Sequence, residues 1–347
     1  GIIQNVASQT ANISGSAKIT TNAKTQSYCI YQPKAGTINI SGNADLQPSA
    51  TTQEAAGVYQ STGTVNVSGT VGVSSTAPTK AYAFYLTGSG SVLNVEGSGT
   101  YTASAKTTAE CVSAGSSSQA TLQGGSFTAT TNITDGTNNA HTLNSGSNAL
   151  ITVSGGTYTA LSKTDQAQAV LASTNGKFTI TGGTFNANSS SASYGNVEVV
   201  RTFPGTIVSI SGGTFNSSTG TSCDATRALG GTLTINGGTF NSKNGVRSSD
   251  ANIGATALAT VVINDGTFNC SNWAIWATTV TSSSYTLTSD FTINGGKFKT
   301  TGSSINIING SNVNGLKIKG GYYSNNGNVE TYCVAPKHCV AMTAADK

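Results

Sequence analysis

The residues best suited to chemistry in this 347-residue chain are few and scattered. Thirteen carboxylates are present, and the closest two, Asp45 and Glu54, lie nine positions apart. Acid–base cleavage of a polymer needs such groups held together, so any catalytic cluster would have to be assembled by the fold. Two pairs are candidates for assembly. Glu198 and Arg227 lie at the same offset before apolar residues of successive repeats, Val200 and Leu229, which predicts direct neighbours able to grip an acidic or hydroxylated sugar. The plain alternative is a cross-strand ion pair worth a few tenths to about 1 kcal/mol. The same count sets His141 beside Glu110, with the same two readings.

Aromatic residues form the better binding candidate. Tyr31, Tyr59 and Tyr85 each follow an apolar residue by one position in three successive repeats, with Tyr28 and Tyr82 nearby. This spacing predicts one outward column of rings on which sugar rings can stack, or an aromatic ladder that stabilises itself. These five tyrosines are the expected ligand-binding residues; no catalytic residue, metal ligand or cofactor is expected. Cysteines give no metal motif, since Cys29, Cys111, Cys223, Cys270, Cys333 and Cys339 include no Cys-x-x-Cys pair. Cys29, Cys111 and Cys333 read as small buried residues, although Cys333 and Cys339 have the spacing to pair across a final turn.

These positions are set by a repeat. The motif apolar-x-apolar-x-Gly is anchored at Ile13, Ile40, Val67, Val95, Leu122, Val153, Ile180, Ile210, Ile235, Ile263, Ile293 and Ile318, at spacings of 25 to 31 residues. A period this regular over the whole chain is the mark of a solenoid. Around each anchor apolar and polar residues alternate, as in Phe178-Thr-Ile180-Thr, which is a half-buried strand. Gly-Gly follows at 155–156, 182–183, 212–213, 237–238 and 295–296, and places a corner there. An aromatic then returns inward, Phe127, Tyr158, Phe185, Phe215, Phe240, Phe268, Phe298 and Tyr323 among them. In the first four repeats the returning residue (Ile19, Leu46, Val73, Tyr101) lies one position later, so the corner is expected to change between the fourth and fifth coils. A further strand is predicted mid-repeat, at Ile30, Val58, Phe84, Val112, Leu143, Val170, Val200, Leu229, Leu258, Ile275, Ile307 and Val334. The expected fold is all-β: a single right-handed parallel β-helix of about twelve coils, spanning 1–347 with at least two strands per coil.

Val208-Ser-Ile-Ser-Gly-Gly-Thr-Phe-Asn-Ser217 and Leu233-Thr-Ile-Asn-Gly-Gly-Thr-Phe-Asn-Ser242 resemble the Gly-Gly-Thr-Phe repeats of bacterial cell-surface proteins. Gly320-Gly-Tyr-Tyr-Ser324, with Tyr332-Cys-Val-Ala335 after it, is similar to their last coil. The resemblance covers essentially the whole chain and implies a right-handed, pectate-lyase-like β-helix. That fold serves lyases, hydrolases, adhesins and phage fibres, so it does not name an activity. Galacturonan hydrolases of this fold carry Asn-Thr-Asp, Asp-Asp, Gly-His-Gly and Arg-Ile-Lys blocks, and none occurs here.

Composition narrows the partners. Only 9% of residues are charged, the net charge is +4, and no basic stripe is visible in the sequence, which argues against nucleic acid. No apolar run is long enough to span a membrane. The chain opens at Gly1 in strand-like text, as expected of one whose leader has been removed. Regular Thr and Asn columns suggest ladders at corners, while their mixture with Ser, Val and Lys argues against an ice-binding face. The expected role is a non-catalytic extracellular surface protein, adhesin-like or carbohydrate-binding, whose partners are glycans or another host or cell-surface polymer. The alternatives are a subunit that stacks through its ends into a filament and a polysaccharide lyase or hydrolase.

Overall fold

The alternation around each anchor and the glycine corners after it produce a parallel β-solenoid. A computed structural model describes residues 1–132, 138–190, 196–219, 222–248, 259–277, 279–281, 286–288, 290–301, 307–309, 315–325, 328–335 and 340–341. Each coil has three strands, one more than the minimum the sequence pattern requires. The first side carries the anchors, in strands such as Lys177–Ile180 and Ile207–Ile210. The second follows the corner, as in Thr184–Ser189 and Thr214–Ser217. The third is the mid-repeat strand, as in Gln166–Ala172 and Asn196–Thr202. Successive coils pair in parallel and in register, so residues one repeat apart become neighbours about 4.8 Å apart.

All twelve anchors stack in one column, from Ile13 beneath Ile40 to Ile293 beneath Ile318. Complete coils, however, number about ten rather than twelve. The last two rungs keep strands on the first and second sides. On the third side the described residues contribute one isolated bridge, Ile275 to Ile308, while Cys333 bridges to the first-side anchor Ile318. The change of corner falls where the spacing places it: Tyr101 lies six residues after its anchor, and its partner Phe127 lies five after its own.

The core is thin and linear. Phe127, Tyr158, Phe185, Phe215, Phe240, Phe268, Phe298 and Tyr323 are fully buried on the second side. Their rings stack face to face with centroids 4.7 to 5.1 Å apart, a spacing set by the coil repeat itself. The Gly-Gly corner makes room for this column. Gly213 holds φ at +103°, and a side chain on Gly212 would come within 2.4 Å of the Thr181 carbonyl oxygen. Asparagine ladders run along the outer faces of the strands rather than at the corners where they were expected: Asn39 donates to Asn12, Asn66 to Asn39 and Asn94 to Asn66. A second ladder runs from Asn269 through Asn241 and Asn216 to Asn186. No helix among the described residues is long and apolar enough to cross a membrane.

Candidate functional site

The third side has a bend that creates its outer surface. In Gln26–Gln32 the inward positions are Ser27, Cys29, Ile30 and Gln32, so two consecutive residues point into the core. That double inward step puts Tyr28 and Tyr31, three positions apart, on the same outer face, which a straight strand cannot do. The pattern repeats in the following coils, and side chains three apart converge. Tyr82 and Tyr85 stack at 4.1 Å with planes 8° apart, and Arg201 comes within 3.9 Å of Glu198.

Two columns therefore run along this face. The outer one reads Tyr31, Tyr59, Tyr85, Ser113, Asn144, Leu171, Arg201, Arg227, Arg247 and Trp276. The inner one reads Tyr28, Ala56, Tyr82, Glu110, His141, Gln168, Glu198, Asp224 and Asn244. The outer column overhangs the inner one. Tyr82, Glu110, His141, Gln168, Glu198, Asp224 and Asn244 are consequently buried although they face away from the core.

At the tyrosine end, all five expected residues meet. Tyr59 contacts Tyr28 at 4.7 Å, Tyr31 at 5.4 Å and Tyr85 at 5.3 Å between ring centroids. The planes are mutually inclined by up to 85°, so the rings form a faceted cluster rather than a flat row. Tyr28, Tyr31, Tyr59 and Tyr85 are half-buried and Tyr82 is buried. The Tyr28 hydroxyl donates to Glu54 at 2.7 Å. Burial first, and the Glu54 carboxylate after it, push that phenol far above its ordinary range, so it remains a donor.

The middle of the strip is a hydrogen-bonded polar chain. His141 Nδ1 lies 3.2 Å from Glu110 Oε1, and Asn144 donates to the same oxygen at 3.0 Å. Burial alone would raise the Glu110 carboxyl, but the His141 contact and the hydrogen bonds outweigh it and hold it below the usual range. Gln168 donates to Glu198 at 2.6 Å, and Arg227 reaches the other oxygen of Glu198 at 3.0 Å.

The Glu198–Arg227 pair exists, but the register expected for it does not. Glu198 is level with Asp224, and Arg227 with Arg201. The column apolar residue of that coil is replaced by Thr226, while Leu229 lies past the strand end. In the next coil Val246 takes the column place; Leu258 lies outside the described residues. Ile307 is buried but the bridge is made by Ile308, and Val334 is 42% exposed and lies off the third side, beside Cys333, which bridges to the first-side anchor Ile318. Once Thr226 is accepted as a column residue, the sequence itself brings the arginines into line, three positions apart from where the apolar rule set them.

Elsewhere the surface is less specialised. The corner between the second and third sides holds an open trough of about 430 Å³, lined by Thr131, Ser162, Ser189 and Lys163 among others. Cys29, Cys111, Cys223 and Cys270 are buried thiols outside any disulfide, while Cys333 is disulfide-bonded and Cys339 lies outside the described residues. Burial raises the Cys223 thiol to about 11 and the Cys270 thiol to about 12, which keeps both protonated and unreactive. Among the described residues no cluster of His, Cys, Asp and Glu has the makings of a metal site. No protein-family model, curated protein or solved structure matches the chain.

Proposed function

We propose that this chain is a non-catalytic, extracellular carbohydrate-binding β-solenoid, and that the outer strip of its third side is where a glycan lies. The observation that carries the reading is the cluster of Tyr28, Tyr31, Tyr59, Tyr82 and Tyr85 on three successive coils, facing out. Half-buried rings held by one another present rigid apolar facets at small entropic cost, and the hydroxyls at their rims supply donors. A strip parallel to the solenoid axis suits a linear polymer.

The acids of the strip favour binding over bond cleavage. Glu198 and Asp224 are fully buried beneath the arginines; both oxygens of Glu198 are engaged, by Gln168 and Arg227, and one oxygen of Asp224 by Asn244, with Arg247 3.8 Å from the other. A general acid or base has to reach the proton it transfers, and these groups face protein. The extracellular, bacterial-surface part of the reading rests on the Gly-Gly-Thr-Phe repeats and on a surface poor in charge.

A glycan array followed by titration of the best ligand is the test. Tyr59→Ala is expected to weaken binding about fivefold, since one aromatic facet contributes on the order of 1 kcal/mol. A correctly folded Tyr59→Ala protein that binds as tightly as the parent would overturn the site. Release of unsaturated or reducing sugar from the bound polymer would overturn the non-catalytic reading.

A further inference from the structure

The tyrosine cluster has a chemical capacity that stacking on a sugar does not use. Five of the chain's twelve tyrosines meet on three successive coils. Phenols held against one another are the reactants for oxidative coupling, in which each ring loses one electron and one proton and two ortho carbons then join. Holding both partners in place turns that joining into a unimolecular step.

Tyr59 is the hub of the cluster. Its ring centroid lies 4.7 Å from Tyr28 in the preceding coil, with planes 37° apart, and 5.3 Å from Tyr85 in the next, at 85°. Tyr28 is thus the closer and less inclined of its two inter-coil neighbours. Tyr28 also has somewhere to send its proton. Burial, and after it the Glu54 carboxylate, keep this phenol protonated, so an electron can leave it readily only if a base takes the proton. Glu54 accepts the Tyr28 hydroxyl at 2.7 Å, which is the geometry such a transfer needs. Tyr82 and Tyr85 stack more closely, at 4.1 Å, but their hydroxyls face each other rather than a carboxylate. They also share one strand, so a bond between them would tie no coils together. Tyr28 and Tyr59 are half-buried, which leaves the pair within reach of an oxidant while neighbouring rings hold it in place.

We infer that the cluster is an oxidative cross-linking site, at which a dityrosine bond between Tyr28 and Tyr59 ties two neighbouring coils together. The inference goes beyond the glycan reading and does not depend on it. Its oxidant is hydrogen peroxide, acting through a haem peroxidase or another one-electron carrier. Tyr28 gives up an electron and passes its proton to Glu54; Tyr59 gives up an electron and passes its proton to water. The peroxide O–O bond breaks and takes up both electrons and both protons as two waters. The two ring radicals join ortho carbon to ortho carbon, and each ortho hydrogen moves to the oxygen beside it, restoring two phenols. The product is the parent chain less two hydrogen atoms.

The test treats the intact chain with hydrogen peroxide and a catalytic amount of haem peroxidase, then denatures it, digests it with trypsin and maps the peptides by mass. Cleavage after Lys24, Lys34, Lys80 and Lys106 puts Tyr28 on peptide 25–34, Tyr59 on 35–80, and Tyr82 and Tyr85 on 81–106. The expected product is a monomer with dityrosine fluorescence in which 25–34 and 35–80 are joined, to an extent independent of protein concentration. Tyr28→Phe and Tyr59→Phe keep the ring and lose the phenolic hydrogen, so both are expected to fold, as thermal melts verify, and each to lower the yield of joined peptide about tenfold or more. Tyr31→Phe should leave the yield unchanged, because Tyr31 shares the peptide of Tyr28 but not its carboxylate. Glu54→Gln is expected to slow the coupling about tenfold or more. The cross-linked protein should melt at a higher temperature than the untreated one, because the bond closes a loop in the unfolded chain. Tyr322, 48% exposed and outside the cluster, is the internal reference. Coupling between molecules through Tyr322 in preference to the joined peptides overturns the inference. So does loss of hydrogen confined to 81–106, joining of 35–80 to 81–106 alone, or an undiminished yield in Tyr28→Phe. An unchanged rate in Glu54→Gln overturns the part given to the carboxylate, and an unchanged melting temperature overturns the tie between coils.

Discussion

Individual residues on the outer strip are held by their surroundings in charge states that have consequences for stability. Asp224 is the clearest case. Burial, and next the charge of Glu198 after the opposing bond from Asn244, leave its carboxyl pushed up to about 6. The folded protein therefore holds this proton more tightly than the unfolded chain does, where a carboxyl titrates near 4. The resulting stabilisation is full below about pH 4 and is lost as pH rises through about 6. Asp224→Asn is accordingly expected to be more stable than the parent at pH 7, by about 1–2 kcal/mol, with the difference vanishing near pH 4. Thermal melts across pH 4 to 8 check this, and a variant less stable at pH 7 would show that the Arg247 contact outweighs the burial. Glu110 has the opposite sign. Burial acts to raise its carboxyl, but His141, Ser113 and Asn144 prevail and lower it, so its contribution is present at neutral pH and lost on acidification.

Strands and corners are stabilised by columns rather than by single contacts. The Phe215 ring lies between Phe185 at 4.8 Å and Phe240 at 4.7 Å, fully buried. Phe215→Ala removes two stacking partners and opens a cavity that neighbouring coils cannot close, and a loss of about 3–5 kcal/mol in denaturant unfolding is expected. Phe215→Leu should cost clearly less. These columns were legible in the sequence because the first and second sides have a nearly constant length: anchor, corner and returning ring recur with the same offsets from Leu122 to Tyr323. The third side was legible up to Val200 and again at Ile275, but not in the two coils between. These coils alter the number of residues between corner and strand, and Thr226 sits where every earlier coil has an apolar side chain. A search for apolar anchors passes over a buried threonine and settles on Leu229, which shifts Arg227 by three positions. The alignment of Val200-Arg201-Thr202 with Thr226-Arg227-Ala228 is the signal that corrects it. The overhang of one outer column on the other was hidden for a different reason. It depends on two consecutive inward residues, Cys29 and Ile30 in the first complete coil, and a strict two-residue period assigns one of them outward.

At the scale of the whole molecule, coils touch only their neighbours, so stability is a sum along a line and has local weak points. The last two rungs have strands on two sides, and on the third the described residues contribute one isolated bridge, Ile275 to Ile308. Amide hydrogen exchange should show this directly. The strand Leu316–Ile318 is expected to exchange about tenfold or more faster than Val261–Ile263 within Thr260–Cys270, whose coil carries all three strands. Equal protection of the two would mean that the rod opens only as one unit. The asparagine ladders add a property of another kind. Every side-chain amide bond between coils in these ladders is donated toward the N-terminal end, from Asn39 to Asn12 and from Asn269 step by step to Asn186, and likewise from Asn294 through Asn264 to Asn236. Aligned amide dipoles add as they do in a helix. Each ladder is thus electrically polar along the rod, positive toward the first coil and negative toward the last. Because amides do not titrate, that polarity outlasts any change of pH that neutralises the rod's carboxylates.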